Sequence, residues 1–277
     1  MVSNKIRIAA VGDVHCKKNS QGTLLPVFKS IADSADILVL CGDLTDYGTV
    51  EETQVLLKEL GPALKLPCVG VLGNHDFESG KENEVAQMLI EAGVSILDGE
   101  AVEIAGIGFA GCKGFAGGFG KGVLGAWGEP AIKAFAHESI NETLKLESAL
   151  ARLRTRHRVV VLHYAPIQAT VEGEPREIFP YLGTSRLEEP INRHGATLVF
   201  HGHAHSGSPE GKTATGVPVY NVAMPLLKKT FADQLGFRLF ELDLTEEANT
   251  AEAAAEAATH TAQAAGTRTT PKSSKLS

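Results

Sequence analysis

No stretch of this sequence approaches the roughly 20 consecutive apolar residues needed to cross a bilayer, so neither a membrane span nor a membrane partner is expected. Cysteine is scarce: Cys16, Cys41, Cys68 and Cys112 form no C-x-x-C pair. Thiols so spaced make no disulfide scaffold and point to reduced, buried side chains in a cytoplasmic protein. Positive charge is short as well. Asp and Glu number 33 against 26 Lys and Arg, for a formal net charge of -7, whereas a protein that tracks nucleic-acid phosphates shows a basic stripe. The nearest approach to one, Arg152, Arg154, Arg156 and Arg158, falls at an expected helix end, where cations offset the helix dipole. A cleaved leader is not expected, because an apolar strand and chemistry-bearing residues follow Asn4 at once. There is no P-loop, no strand-to-helix G-x-G-x-x-G turn and no internal repeat.

What remains is ordinary in bulk. The 277 residues are 43% hydrophobic and 21% charged, which suits one α/β domain with a small extra piece. Ile6 to Val11 reads as a buried strand closed by Gly12, Ile37 to Cys41 as a second closed by Gly42, and Cys68 to Leu72 as a third closed by Gly73. Helical periods between them, Leu24 to Ser34 and Glu51 to Leu60, give the grammar of a parallel sheet covered on both faces. Beyond Val94 the spacing predicts a hairpin at Val102 to Ala110, then a glycine-dense loop from Gly111 to Gly128. A helix near Ala131 to Arg154 follows, with strands at Val159 to Leu162, Thr197 to Phe200, Val217 to Val222 and Phe237 to Leu242. The fold class expected is α/β, two mixed sheets packed as a sandwich and flanked by helices. The domain is expected over 1–245, with an alanine-rich and then polar tail, 246–277, read as disordered.

Five short polar motifs stand at the ends of the expected strands: Asp13-x-His15; Gly42-Asp43 within GDLTDYG; Gly73-Asn74-His75-Asp76; His163 within LHYAP; and Gly202-His203-Ala204-His205. Each alone has a bland reading, a surface turn or a satisfied histidine. Together they bring five of the ten histidines, with carboxylates and an asparagine, to the carboxyl ends of strands, where open α/β sheets bind ligands. Mixed imidazole and carboxylate donors suit Mn, Fe, Zn or Co better than Mg or Ca.

The ordered set resembles the calcineurin-like metallophosphoesterases from Ile6 to about Leu244. The resemblance implies a dinuclear centre of divalent or mixed-valence transition-metal ions. Carried over by position, Asp13, His15 and His205 would hold one ion, Asn74, His163 and His203 the other, and Asp43 would bridge. His75 would contact the phosphate and assist the leaving group, with Asp76 orienting it and favouring its charged form. Such a pair, about 3.5–4 Å apart, binds phosphate oxygens and activates a bridging water for in-line attack. His201 and Asp46 are candidates to orient ligand histidines, and Tyr47 and Tyr164 to touch substrate. The glycine-dense loop is expected to be mobile near the site, with Phe115, Phe119 and Trp127 offering ring contacts and its N–H groups a possible phosphate cradle.

The function expected is metal-dependent phosphoester hydrolysis of a small phosphodiester or nucleotide-type substrate. Alternatives are a phosphomonoesterase or protein phosphatase, a nuclease, and a non-catalytic scaffold. Phosphatases of the superfamily carry Asp-Arg-Gly where this chain has Asp46-Tyr47-Gly48. A nuclease would bring a capping domain and a basic surface, and a scaffold would have lost metal-site histidines. Substrate identity, native metal and oligomeric state are not encoded in these motifs.

Overall fold

The computed structural model describes residues 5–231 and 235–244. Ile6–Leu242 form one compact unit; the expected tail, 246–277, lies outside the described residues. The first half of the chain runs β1 (Lys5–Val11), α1 (Leu25–Ser34), β2 (Ile37–Cys41), α2 (Val50–Leu60), β3 (Cys68–Val71), α3 (Glu82–Glu91) and β4 (Val94–Ile96). The hairpin β5 (Ala101–Ile104) and β6 (Ile107–Gly111) leads through a long loop to α4 (Pro130–Arg152) and β7 (His157–Val161). Then come α5 (Phe179–Leu182), α6 (Glu188–His194), β8 (Leu198–His201), β9 (Glu210–Lys212), β10 (Pro218–Asn221), α7 (Met224–Thr230) and β11 (Arg238–Asp243).

Two mixed sheets result, ordered β11-β1-β2-β3-β4 and β5-β6-β7-β8-β10-β9. The β1–β2–β3–β4 and β6–β7–β8–β10 neighbours are parallel, as the strand–helix alternation requires. Successive strand residues point to opposite faces. Ala9, Val11, Leu38 and Leu40 accordingly pack with Val27, Phe28, Ile31, Leu56 and Leu60 of α1 and α2. The intervening Ile8, Ala10 and Val39 are fully buried too, so this sheet is covered on both sides. On the second sheet, Ala110, Val160 and Val199 pack with Leu146, Leu150 and Ile191 of α4 and α6. The sandwich expected from the sequence is the sandwich observed.

Local chemistry sets the element ends. Thr49 and Glu52 form a capping box at the start of α2. Helix α1 has no side-chain cap of its own. Buried Glu59, on α2, accepts from the N–H groups of Gly22, Leu24 and Leu25 at 2.6–2.8 Å, which satisfies the orphan donors of α1 and ties the two helices together. The consequence for function is positional: β1, β2, β3, β7 and β8 all end at one edge of the sandwich, and each is followed there by one of the five motifs.

Candidate metal centre

The loops after these strands are held to one another before any side chain is considered. Asp13 N–H donates to Gly42 O, His15 N–H to Asp43 O, and Gly202 N–H to His163 O, at 2.9–3.1 Å. Close approach depends on missing side chains. A Cβ on Gly73 would lie 2.1 Å from Asp43 Oδ1, and one on Gly202 would lie 2.2 Å from Asp13 Oδ2. Backbone strain is concentrated here as well. Among the described residues five non-glycines have positive φ, and four of them are Asp13, His15, Asp43 and His203. Such conformations cost on the order of 1–3 kcal/mol each and persist where the surroundings over-determine them.

The side chains form two clusters around one shared carboxylate. Asp13, His15 and His205 offer ligand atoms within 4.8 Å of one another, and so do Asp43, His163 and His203. His205 Nε2 is 2.9 Å from Asp13 Oδ1 and 3.4 Å from His15 Nε2. Asp43 divides its oxygens between the two: Oδ2 lies 3.8 Å from His15 Nε2, Oδ1 3.3 Å from His163 Nε2. Asn74 Oδ1 joins the second cluster, 2.9 Å from His163 Nε2. All seven residues expected as ligands therefore converge.

Whether they fit a cation can be judged from proton placement. His163 Nδ1 donates to the Cys41 carbonyl at 2.9 Å. With that proton spent, the neutral ring has only a lone pair at Nε2, and this faces the oxygens of Asn74 and Asp43. His203 is similar, its Nε2 donating to the Tyr181 carbonyl at 3.2 Å and leaving a lone pair at Nδ1. Acceptors aimed at one another without a proton repel; a positive ion between them removes the conflict. The donor set fits metal.

The titration pattern has the same origin. Burial lowers His203 to about 3 and pulls His15 below the usual imidazole range. His205 is raised by its hydrogen bond to Asp13 against the effect of burial. Burial pushes Asp13 upward, but His205 and the surrounding imidazoles outweigh it and hold the carboxyl low. Asp43 is raised by burial and by Asp13, despite the attraction of His163.

His75 stands next to this constellation. Its backbone N–H donates to Asp43 Oδ1 at 2.8 Å, and its ring packs edge-on against His15 with centroids 4.6 Å apart. Its Nδ1 donates to the carbonyl of Asp46 at 2.7 Å, which leaves Nε2 as the position that exchanges protons. Here the structure corrects an expectation. Asp76 does not orient the His75 ring; it is fully buried and faces the other way. Its Oδ1 accepts from the N–H and the hydroxyl of Thr45 at 2.8 and 2.7 Å, and its Oδ2 from the N–H groups of Gly73 and Leu44 at 2.8 and 3.2 Å. Burial and the nearby Asp43 push its carboxyl upward, against these donors. Asp76 thus fastens the second motif to the third, and the ring partner of His75 is a backbone carbonyl that no residue-type signal could reveal.

Other candidates sort themselves out. Asp46 Oδ1 is 3.5 Å from His15 Nδ1, within reach of a ligand imidazole. His201 is a core residue: burial lowers it to about 4, and it bonds Thr170 Oγ1 and the Gly202 carbonyl, both at 2.8 Å. Tyr164 is buried, its ring 4.4 Å from that of His203, while Tyr47 is 58% exposed. The glycine-dense loop is not a phosphate cradle. Gly117, Gly118 and Gly120 donate their N–H groups to Pro180 O, Gly183 O and Ser185 Oγ, so the loop is laced to the segment around α5. Phe119 is buried among Ala165, Val171 and Leu182. Phe115 packs between Phe135 and Tyr164, and Trp127 points into solvent.

A sandwich of two mixed sheets whose strand ends gather two His/Asp clusters about a shared carboxylate defines a metallophosphoesterase. The chain belongs to the calcineurin-like phosphoesterase family, whose model matches residues 6–207; the family is a class of dinuclear metal enzymes, and the chain is a phosphoric ester hydrolase. Among solved structures it is similar to a phosphopantetheinyl hydrolase from Mycobacterium tuberculosis, with TM-score 0.64 and 17% identity over 89% of this chain and 98% of that one. It is also similar to a purple acid phosphatase from yellow lupin seeds, with TM-score 0.52 and 13% identity over 80% of this chain and 44% of that one. At such identities the likeness is one of fold. Comparison with curated protein sequences finds no significant match.

Proposed function

We propose that this chain is a phosphodiesterase in which Asp13, His15 and His205 hold one transition-metal ion and Asn74, His163 and His203 a second, with Asp43 shared. The division of the Asp43 oxygens between the two clusters carries this reading. The nitrogen-rich donor set favours Mn, Fe, Zn or Co. When bound, the ion pair supplies charge neutralisation at the phosphoryl oxygens and a more acidic water. The protein supplies the rest. The Cys41 and Tyr181 carbonyls fix the tautomers of His163 and His203. His75, with Nδ1–H committed to Asp46 O, presents Nε2 to deliver a proton to the departing oxygen. Asp76 keeps the loops carrying Asp43 and Asn74 in register.

Preference for diesters follows from what the rim lacks. A monoester dianion has three terminal oxygens, commonly held by a guanidinium fork. Tyr47 stands at the position where phosphatases place that fork, and it can donate only one neutral hydrogen bond. The Arg186 guanidinium donates to the Leu124 carbonyl at 3.0 Å, and Arg176 is exposed on the turn before α5. A diester, with two non-bridging oxygens and one charge, needs no such clamp. A small diester or nucleotide-type substrate fits a chain with net charge -7 and no basic stripe. We also assign the protein to the cytoplasm. All four cysteines are free and buried, with burial raising Cys16 and Cys68 to about 12. No helix among the described residues is long and apolar enough to cross a membrane.

The test compares kcat/KM for bis(p-nitrophenyl) phosphate and p-nitrophenyl phosphate at matched pH and metal. The diester is expected to be favoured. A monoester advantage of about tenfold, worth about 1.4 kcal/mol in transition-state binding, would reverse the assignment.

A further inference from the structure

One half-buried cation on the rim of the metal centre has no carboxylate partner. Lys113 lies just past the end of β6, at the same sheet edge as the five motifs. Its carbonyl accepts from the N–H groups of His163 and Tyr164 at 3.0 and 3.1 Å, so its backbone is fixed against the loop that carries a metal ligand. Its ammonium donates to the Gly114 carbonyl at 3.0 Å. The same ammonium lies 5.4, 5.0 and 5.3 Å from the ring centroids of Phe77, Phe115 and Tyr164. Among the described residues no carboxylate forms an ion pair with it.

The three rings belong to the site. Phe77 ends the turn that begins at His75. Tyr164 follows His163 and stacks at 4.4 Å on His203, and Phe115 packs on Tyr164 at 5.9 Å. A cavity of about 510 Å³ adjoins them, with Leu72, Phe77, Leu97 and Lys113 in its walls. The acidic residues on its border have other ties. Asp98 pairs with Lys145 at 2.7 Å, Glu100 accepts from the Asp98 N–H at 2.6 Å, and Glu82 sits in the first turn of α3, where the helix dipole suits it.

Ring faces attract an ammonium through their quadrupoles but take none of its N–H donors. Lys has three such donors, and the Gly114 carbonyl uses one. Two remain for an incoming anion, beside flat apolar surface on which an aryl or heterocyclic group can lie. We propose that Lys113 is a specificity-determining residue of the substrate site, and that its ammonium with Phe77, Phe115 and Tyr164 receives a flat ester arm bearing an anionic group of its own. The substrate class is a phosphodiester with a second negative charge beyond phosphorus. The proposal rests on the phosphodiesterase reading above.

The test uses the full-length, metal-loaded protein and two symmetrical diesters, bis(4-carboxyphenyl) phosphate and its bis(methyl ester), so that either arm can occupy the subsite. The quantity read is the ratio of kcat/KM for the charged over the uncharged diester, normalised to the ratio for spontaneous hydrolysis. In Lys113→Met, which keeps the length of the side chain, the normalised ratio should fall by about tenfold or more; Lys113→Arg should restore it to within about threefold. Thermal unfolding of both variants reports on folding separately. A ratio in Lys113→Met within about twofold of the unsubstituted protein, or a loss shared equally by both diesters, overturns the proposal. So does a loss confined to p-nitrophenyl phosphate, which would make Lys113 a monoester clamp. The diester reading fails on a different measurement, the preference of the unsubstituted enzyme between its mono- and diester nitrophenyl substrates.

Discussion

Substituting Asn for Asp76 should unfold the protein at a lower temperature before it alters the chemistry of His75. The fully buried carboxylate receives four hydrogen bonds, two at each oxygen, from Thr45, Leu44 and Gly73. An amide keeps one acceptor oxygen and places an N–H₂ group against donors at the other, whichever way it is turned. Two contacts are lost, each worth roughly 1.5–3 kcal/mol when the acceptor is charged. Allowing for relaxation, the expected cost is about 3–5 kcal/mol, a large share of the roughly 5–15 kcal/mol that holds a domain of this kind together. At about 2–4 °C per kcal/mol for this chain length, Tm should fall by roughly 6–20 °C.

Thr45→Val provides the matched control. It removes the hydroxyl bond to Asp76 and the acceptor used by Gly48 N–H at 3.1 Å, for an expected loss of about 1–2 kcal/mol. Because both residues serve one network, the double substitution should cost less than the sum. The assay is thermal unfolding with chelator present in every sample, followed by metal content after reloading. Metal retention should fall with Tm, since the fastened loops carry Asp43 and Asn74. A Tm within about 2 °C of the unsubstituted protein, with a lower kcat and a displaced alkaline limb of the pH–rate profile, would refute the reasoning. It would return Asp76 to the role of tuning the charge on His75.

Three further outcomes are expected. Chelation should abolish turnover, and Mn or Co should restore it more fully than Mg, because four of the seven converging donors are imidazoles; full activity in protein shown to be free of metal would contradict this. Glu59→Ala should cost about 2–4 kcal/mol in urea unfolding without a change in KM, because it strands the N–H groups of Gly22, Leu24 and Leu25 at the start of α1. The third concerns pH. The Arg7 guanidinium and N–H hold Asp36 below the usual carboxylate range. A depressed carboxyl stabilises the fold above its unfolded pKa, near 3.9, and loses that contribution as pH falls through its lower folded value. The Tm difference between the unsubstituted protein and Asp36→Asn should therefore be constant above about pH 5 and shrink below about pH 4. A difference that grows on acidification would show that the ion pair is not its source.

What could be read in the sequence and what could not divide along a physical line. β2 was legible to the residue, Ile37 to Cys41, because a strand buried on both faces is a continuous apolar run. The seven converging donors were legible because their residue types are rare together and recur at strand ends. The short β4 and β9 and helix α7 escaped notice: three to seven residues carry too little periodicity, and they exist because neighbouring strands need their edges paired. The glycines between Gly111 and Gly128 suggested mobility by composition, whereas their backbone groups are tied to the segment around α5. That tie is made by main-chain atoms, which every residue possesses and no composition announces.

The same distinction explains the misreading of Asp76. In Gly73-Asn74-His75-Asp76 two adjacent polar residues suggest a couple, yet the turn beginning at His75 sends their side chains in different directions. His75 goes to the mouth of the site, and Asp76 goes beneath it to bind Leu44 and Thr45, some thirty positions earlier in the chain. Lys113 was missed for the complementary reason: a single lysine after a strand carries no motif. Its position past the end of β6, at the edge where every other functional residue was found, was already a sufficient ground for suspicion. In this fold the place of a polar residue at a strand end is a better guide to its work than the residue beside it in sequence.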